Sequence, residues 1–493
     1  MKTKDLVLFL MAAGIYCLGL VQTIDPDLWW HLKTGERILG HGVPKVDPFS
    51  YSMSGNLWVA HEWLSEVILF LIFKAGGLPA LMISFAVFGV IIFGFVYRTC
   101  SGRPYMAAVL TFLAFAASRY LWGARPQVFN IAMLAVFLWL IQSIRLKLLD
   151  RKWLYALIPL TTLWTNLHSG YLMGIVVMLT VWLGDLIQVF VLRFEEGALD
   201  KRALLHFTAV IPVSVLAAIV NPAGRAILGY PFETLTSKVM QANILEWQTP
   251  TFHHWNYWPF LVIMILGVFA FMIAPPRKNV SNFLLYAGAM ATGLFARRHI
   301  PFFAIVSIPV VSGALTAAFA PAPGMSVFSL DRFKVFRFVI NPVLALLIAA
   351  GVLCWTDLRL KKNAAVISRN YPVQAVSFIR DRGLMGKRVF NEYVWGGFLI
   401  WNDIPVFIDG RADLYGDKFF RNYLATRDVR KNLREVEAVF DRFRVDYLLL
   451  RPDSALAAIC RVHRKWQEVY RDKVSCVCVR RVPTTPPDAR LKQ

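Results

Sequence analysis

The chain has 493 residues, of which 57% are hydrophobic and only 17% charged, and its mean hydropathy is +0.52. A water-soluble protein carries roughly 25% charged residues to cover its surface, so this composition excludes a string of soluble domains and leaves a polytopic membrane protein. The formal charge of +22 implies no nucleic-acid partner, because Lys and Arg collect in the cytoplasmic loops of membrane proteins.

A helix that crosses about 30 Å of hydrocarbon needs about 20 apolar residues. Runs of that character occupy 5–22, 77–97, 105–119, 128–144, 154–168, 171–192, 203–221, 259–274, 282–296, 301–320 and 338–355, which predicts about eleven spans. The stretch 63–75 reads as a half-helix. Only Thr23-Ile24-Asp25-Pro26 follows the first run, with no small-x-small cleavage site, so that run reads as a span and not as a signal peptide. Up to Trp355 there are 26 Lys and Arg, which keep to the loops and to the ends of the runs. With the N-terminus inside, sixteen of them, including Arg145, Arg277 and Lys278, fall on the inner side and ten on the outer side. That asymmetry follows the positive-inside rule. An odd number of spans then places the C-terminus outside.

Residues 356–493 differ in character, with 27 Lys and Arg against 16 Asp and Glu and with short apolar strands between helices. Segments 406–408, 447–450 and 474–479 read as strands, and Leu433, Val436, Val439 and Phe440 give 432–443 a helical period. The expected architecture is mainly α: a transmembrane helical bundle over 1–355 that holds the chemistry, and a small soluble α/β domain over 356–493. The basic surplus of that domain suits a solvated face or contact with membrane lipids. Cys476 and Cys478 share a strand face and are poorly placed to bond each other. Cys460 is an alternative partner for either in an oxidising compartment. No His/Cys spacing matches a zinc motif, and no phosphate-binding glycine loop is present.

The unusual polar residues all fall on the expected outer side. They include Asp25, Asp27 and His31 in the first loop, His61 and Glu62 at its end, and Arg119 and Arg125. Further along come Asn166 and His168, Asn221, Glu246, and then Arg297, Arg298 and His299. Acidic and His residues at a membrane border are costly unless solvated or paired, so the outer face is the candidate active face. Segment 27–39 suits an interfacial helix with Leu28, Trp29, Leu32 and Ile38 toward the membrane. Asp27 has two readings there: an N-cap, or, with Asp25, a base that takes a proton from an acceptor. The same pair could hold a divalent cation, although guanidinium groups make a resident cofactor unnecessary. Outer arginines suit bidentate phosphate binding, or they snorkel to headgroups.

Several motifs carry a family resemblance: Asp-Pro-Asp-Leu-Trp-Trp-His (25–31), His-Glu-Trp-Leu (61–64), Ala-Arg-Pro-Gln (124–127) and Asn-Leu-His (166–168). Glu-Trp-Gln-Thr-Pro (246–250), Arg-Arg-His-Ile-Pro-Phe-Phe (297–303), Trp-Gly-Gly-Phe-Leu-Ile-Trp (395–401) and Phe-Ile-Asp-Gly-Arg-Ala-Asp-Leu-Tyr (407–415) complete the set. In this order they resemble the GT-C superfamily of polytopic glycosyltransferases, and more closely its uncharacterised bacterial members. The resemblance covers nearly the whole chain. It implies a multi-pass inner-membrane enzyme that inverts the anomeric centre of a polyprenyl-phosphate-linked sugar. The acceptor would be a lipid, a glycan or a protein on the periplasmic face.

By that resemblance Asp27 or Asp25 is the catalytic carboxylate, and Arg297, Arg298 and Arg125 bind the donor phosphate. His31, His61, Glu62, Asn166, His168, Glu246 and His299 then surround the substrates, with no metal ligand among them. Asp409, Arg411 and Asp413 contact the acceptor or form a local salt bridge in a turn. The alternatives are an O-antigen-type ligase or polymerase, a flippase or transporter for a lipid-linked sugar, and a non-catalytic scaffold.

Overall fold

The computed structural model describes residues 1–100, 102–273, 280–319, 330–429 and 432–481. Arg277 and Lys278, the end of the run 301–320, and the last residues of the expected C-terminal domain lie outside the described residues. Nineteen α-helices occur among the described residues. In chain order they are α1 (Thr3–Gly19), α2 (Leu28–His41), α3 (Trp63–Thr99), α4 (Pro104–Ser118), α5 (Gln127–Arg145), α6 (Leu157–Leu167) and α7 (Tyr171–Leu186). Next come α8 (Lys201–Ala217), α9 (Ala226–Thr236), α10 (Lys238–Asn243), α11 (Trp258–Ile273), α12 (Val280–Phe295), α13 (Ile300–Ala318) and α14 (Asn341–Asn370). The series ends with α15 (Val373–Asp381), α16 (Gly396–Trp401), α17 (Ala412–Arg427), α18 (Leu433–Phe443) and α19 (Ala455–Val462).

Each of the eleven predicted runs carries a helix. Seven described helices are long and apolar enough to cross a membrane, and Val280–Phe295 is a shorter apolar one. The chain is a polytopic membrane protein. The half-helix expected at 63–75 is the first limb of α3, which breaks at Gly76 and Gly77. Gly77 has φ 63°, a left-handed conformation that only glycine adopts without strain.

The chain forms two compact units, Met1–Thr23 with Ala60–Lys362, and 24–59 with 363 onward. In the first, the bundle closes around a buried ion pair at one end. Gly184 of α7 leaves no room for a Cβ, which would sit 2.5 Å from the Ser281 backbone, so α7 and α12 come into close contact. There Arg145 Nε donates to Asp185 Oδ2 at 3.2 Å, its Nη1 donates to Asn282 at 3.1 Å, and its Nη2 reaches Asp185 Oδ1 and Ser281 Oγ. Asp185 also accepts from Leu199 N at 2.9 Å.

This corrects the expectation for Arg145, which is buried and not part of a solvated inner loop. Asp185 lies inside the run 171–192, where mean hydropathy conceals a single acid. A charge taken out of water must be paired, and these two residues supply each other.

In the second unit, a four-stranded sheet runs in the order β1-β2-β4-β3. The strands are β1 (Val389–Asn391), β2 (Tyr447–Leu450), β3 (Trp466–Arg471) and β4 (Cys476–Arg480). Strand β1 pairs parallel to β2, and β4 pairs antiparallel to both β2 and β3. The strands expected at 447–450 and near 474–479 are present, as is the helix within 432–443. The strand expected at 406–408 is absent from the sheet. Its backbone is used otherwise: Val406 N donates to Phe49 O at 3.3 Å, Tyr51 N donates to Val406 O at 3.1 Å, and Phe407 N donates to Asn391 Oδ1 at 2.9 Å.

The first loop belongs to this unit. Leu28, Trp29, Leu32 and Ile38 of α2 are buried, and the Trp29 ring meets Phe398 edge-on at 5.2 Å and Tyr371 at 5.7 Å. The apolar face expected to meet lipid is thus covered by protein, because Phe398, Trp401 and Tyr371 offer it a complementary aromatic surface.

Arg145→Met should leave Asp185 buried without its counter-ion and cost about 3–5 kcal/mol, whereas Arg145→Met with Asp185→Leu should recover most of the loss. Thermal unfolding of the detergent-solubilised protein measures both.

Candidate functional site

The other end of the bundle gathers the outer-side motifs. The N-termini of α3, α5 and α7 and the 3-10 turn Arg297–His299 before α13 meet there, together with the turn Leu245–Trp247. Arg125 Nη1 donates to Glu246 Oε1 at 2.6 Å. His168 Nε2 lies 3.1 Å from Glu62 Oε1, and His61 Nε2 lies 3.4 Å from the same oxygen.

The backbone fixes the tautomer of His168. Gly170 N donates to its Nδ1 at 2.8 Å, so the ring proton sits on Nε2 and points at Glu62. Burial would raise the Glu246 carboxyl, but Arg125 and Arg298 outweigh it and hold the group below its ordinary range.

Arg298 is supported from below, its guanidinium lying 4.3 Å from the centre of the Trp247 ring, and it is within electrostatic reach of Glu246, Arg125 and Glu62. Arg297, expected to act with it, turns away. Its Nε donates to Thr249 O at 3.2 Å and its guanidinium lies over Tyr257. Asn166 is a positioning residue: it accepts from Trp63 Nε1 at 2.7 Å and donates to Thr162 and Val220 carbonyls at 2.8 Å. The His61 ring stacks on Tyr230 at 4.2 Å.

Below these groups is a cavity of about 360 Å³. Its body is apolar, formed by Met173, Val176 and Val177 of α7, Leu284 and Leu285 of α12, and Phe302 and Val306 of α13. Arg298, His168, His299, Gln127 and Asn130 supply its polar part. His299 Nδ1 lies 3.3 Å from Thr292 O. The lining is thus mostly apolar, with one guanidinium among its polar groups.

The two loop aspartates belong to the second unit, where neither N-cap chemistry nor chance exposure describes them. Asp27 makes no side-chain cap; its Oδ1 accepts from Trp30 Nε1 at 3.0 Å. Asp25 Oδ1 accepts from Asp27 N at 2.9 Å.

Glycines bring the protein surface up to this loop. A Cβ on Gly410 would sit 1.7 Å from Asp27 Oδ1, and one on Gly397 would sit 2.4 Å from Pro26 O. Tyr393, which donates to Gly410 O at 3.2 Å, has its hydroxyl pKa raised by burial and then by Asp27 and Asp409. His31 is buried, with its ring centre 3.6 Å from that of Trp30.

Arg411 makes the local salt bridge. It donates Nε to Asp409 Oδ1 at 2.8 Å and Nη2 to Oδ2 at 2.7 Å. Its Nη1 donates to Asp47 Oδ1 at 2.8 Å, and Trp58 and Phe49 flank the guanidinium. Sequence reading missed Trp247, Tyr230 and Tyr393. Trp247 alone carried a signal, standing beside Glu246 in an outer motif.

No protein-family model and no curated protein matches the chain. Solved structures do. The oligosaccharyltransferase of Archaeoglobus fulgidus in its apo form aligns with TM-score 0.56 at 12% identity, over 91% of this chain and 69% of that one. ArnT from Cupriavidus metallidurans, apo, aligns with TM-score 0.55 at 12% identity, over 97% and 98%. ArnT bound to undecaprenyl phosphate aligns with TM-score 0.53 at 12% identity, over 99% and 100%. The chain has the GT-C fold. That GT-C fold spans nearly the whole sequence, including both units. The same archaeal enzyme was also solved with an inhibitory peptide and a dolichol-phosphate.

Gly410→Ala should force Asp27 aside and destabilise the second unit by about 1–3 kcal/mol. Gly386→Ala, where a Cβ meets nothing within 4 Å, should stay within about 0.5 kcal/mol. Thermal unfolding compares them. Because Glu246 is held low in the folded state, its ion pair contributes stability above the ordinary carboxyl pKa of about 4.3, and this is lost as pH falls through the folded value. Glu246→Gln should flatten that acid-side loss of stability between pH 5 and 3 in melting curves.

Proposed function

We propose that this chain is an integral-membrane glycosyltransferase that moves a sugar from a polyprenyl-phosphate donor to an acceptor on the outer face of a bacterial inner membrane. The observation that carries it is the placement of Arg298, braced by Trp247 and neighboured by the Arg125–Glu246 pair, at the polar part of an apolar cavity inside a GT-C fold. Solved relatives holding undecaprenyl phosphate or dolichol-phosphate support the donor class.

In this mechanism the isoprenoid tail lies along α7, α12 and α13 and the phosphate meets Arg298. A carboxylate of the Asp25–Asp27 pair accepts the proton of the acceptor's hydroxyl or amine. The acceptor's lone pair forms the new bond to the anomeric carbon as the carbon–oxygen bond to phosphate breaks, and its electrons leave on the lipid phosphate. Direct displacement inverts the anomeric centre. The guanidinium stabilises the charge that develops on the leaving group. Arg125 is held by Glu246 and acts on the donor through the local field. Glu62 and His168 form a second proton-bearing pair at the same end, suited to bind sugar hydroxyls. Asp25 and Asp27 are also the groups that would hold a divalent cation, whose charge would stabilise developing negative charge.

Proteoliposomes loaded with a panel of polyprenyl-phosphate sugars and candidate acceptors test this by release of polyprenyl phosphate. One donor should turn over. Asp27→Asn should lower its rate by about 10²–10⁴-fold, and Arg298→Ala by about 10²–10³-fold, with the fold retained. Release that survives both Asp25→Asn and Asp27→Asn would instead support an arginine-driven ligase. Movement of an intact donor across the bilayer without release would support a flippase.

A further inference from the structure

Three of the six cysteines converge on one place in the second unit. Cys476 and Cys478 alternate along β4, so their side chains share a face. Cys460 comes from α19 and is buried with them. Cys478 stands directly opposite Glu468 of β3, where the register shifts between Glu468 and Tyr470, an irregularity of the kind that re-aims a side chain. The two strand thiols and a carboxylate oxygen of Glu468 lie within 4.8 Å of one another. The Cys460 thiol is close enough to Cys478 to act on it electrostatically. All six cysteines are free.

Buried, clustered thiols serve either as a disulfide or as ligands to a soft cation. A disulfide would use two of the three and give Glu468 no part. Two sulfurs and one carboxylate oxygen, carried on β3 and β4, are three donors of the type a zinc-class ion takes, and the buried Cys460 of α19 is the neighbour that would complete a four-donor set. The carboxylate is itself oriented: Arg471 Nε and Nη2 donate to its two oxygens at 2.7 and 2.6 Å, and Arg461 lies 3.7 Å away. Such outer partners fix a ligand and offset the negative charge of thiolates.

We propose that Cys460, Cys476, Cys478 and Glu468 bind one thiophilic divalent cation of the zinc class, which staples α19 to the sheet. The cation displaces the thiol protons to solvent and nothing is oxidised or reduced. The site is independent of the glycosyltransferase reading. Its donors are spread over 460–478 in a pattern that carries no zinc-finger spacing, because fold topology and not local sequence gathers them.

The test is cobalt titration of the full-length, reduced protein in detergent after treatment with a chelator. Wild type should bind about one cobalt per chain, with thiolate-to-cobalt charge-transfer absorption and the intense visible bands of a tetrahedral site, both displaced by zinc. Cys476→Ser and Cys478→Ser should each abolish the charge-transfer band. Glu468→Gln, which spares the thiols, should keep the band and weaken cobalt affinity by about 10–100-fold. Chelation should lower the melting temperature of wild type and leave that of Cys476→Ser unchanged. Absence of the band in folded wild type whose thiols all titrate in denaturant would overturn the proposal, as would a Cys460–Cys478 or Cys460–Cys476 disulfide found by peptide mapping.

Discussion

A guanidinium buried without water must find carboxylates, and Arg411 finds one nearby and one 364 residues earlier in the chain. Asp409 engages it bidentately, Asp47 takes the remaining arm, and Trp58 and Phe49 close over its faces. Burial would raise the Asp409 carboxyl, but Arg411 outweighs that and holds it low. Loss of Arg411 would leave two buried carboxylates without a counter-ion, and withdrawal of Asp47 would leave the Nη1 arm without its acceptor, so the first loop cannot leave this unit cheaply. Everything else the loop does follows from that anchor: Tyr51 and Val406 pair their backbones, α2 lays its aromatic face on Phe398 and Tyr371, and Asp27, whose backbone N–H donates to Asp25, is held beside Gly410 and Tyr393.

The first unit solves a similar problem at both of its ends. At one, Arg145 and Asp185 neutralise each other with help from Ser281 and Asn282. At the other, the charges are only partly spent. Arg125 is paired with Glu246 and the His168 ring hydrogen-bonds Glu62, but Arg298 rests on an aromatic ring beside a cavity. A cation–π contact holds a guanidinium in place without neutralising it. Fully paired charges build structure; Arg298 is instead oriented by an aromatic ring, with Glu246 and Glu62 within electrostatic reach.

Much of this was legible in the residues. Apolar runs located a helix in every predicted span, and the acid–His–Asn–Arg motifs of one face came together at one end of the bundle, as His61-Glu62, Ala-Arg125-Pro, Asn166-Leu-His168 and Glu246-Trp247 illustrate. What failed did so for identifiable reasons. Asp185 was hidden by the hydropathy of its neighbours, and Arg145 looked like any loop-end base until its partner was in view. Segment 406–408 has the composition of a strand, but its hydrogen bonds go to the first loop and to Asn391. Adjacent arginines are equivalent on paper, and only the positions of Trp247 and Tyr257 separate Arg298 from Arg297.

The sequence by itself determined that this is a membrane protein of many spans with a mixed α/β C-terminal region, because hydropathy and periodicity are local properties. It also determined that the chemistry-bearing residues cluster toward one side, because charge at a membrane border is costly and its distribution can be counted. Only the tertiary structure decided what covers the apolar face of α2, since a row of Leu and Trp reads the same against lipid as against protein. It alone decided which charges are paired and which arginine is left at the cavity, and that residues 24–59 fold with the C-terminal region. Those outcomes depend on contacts hundreds of residues apart, which no local pattern encodes.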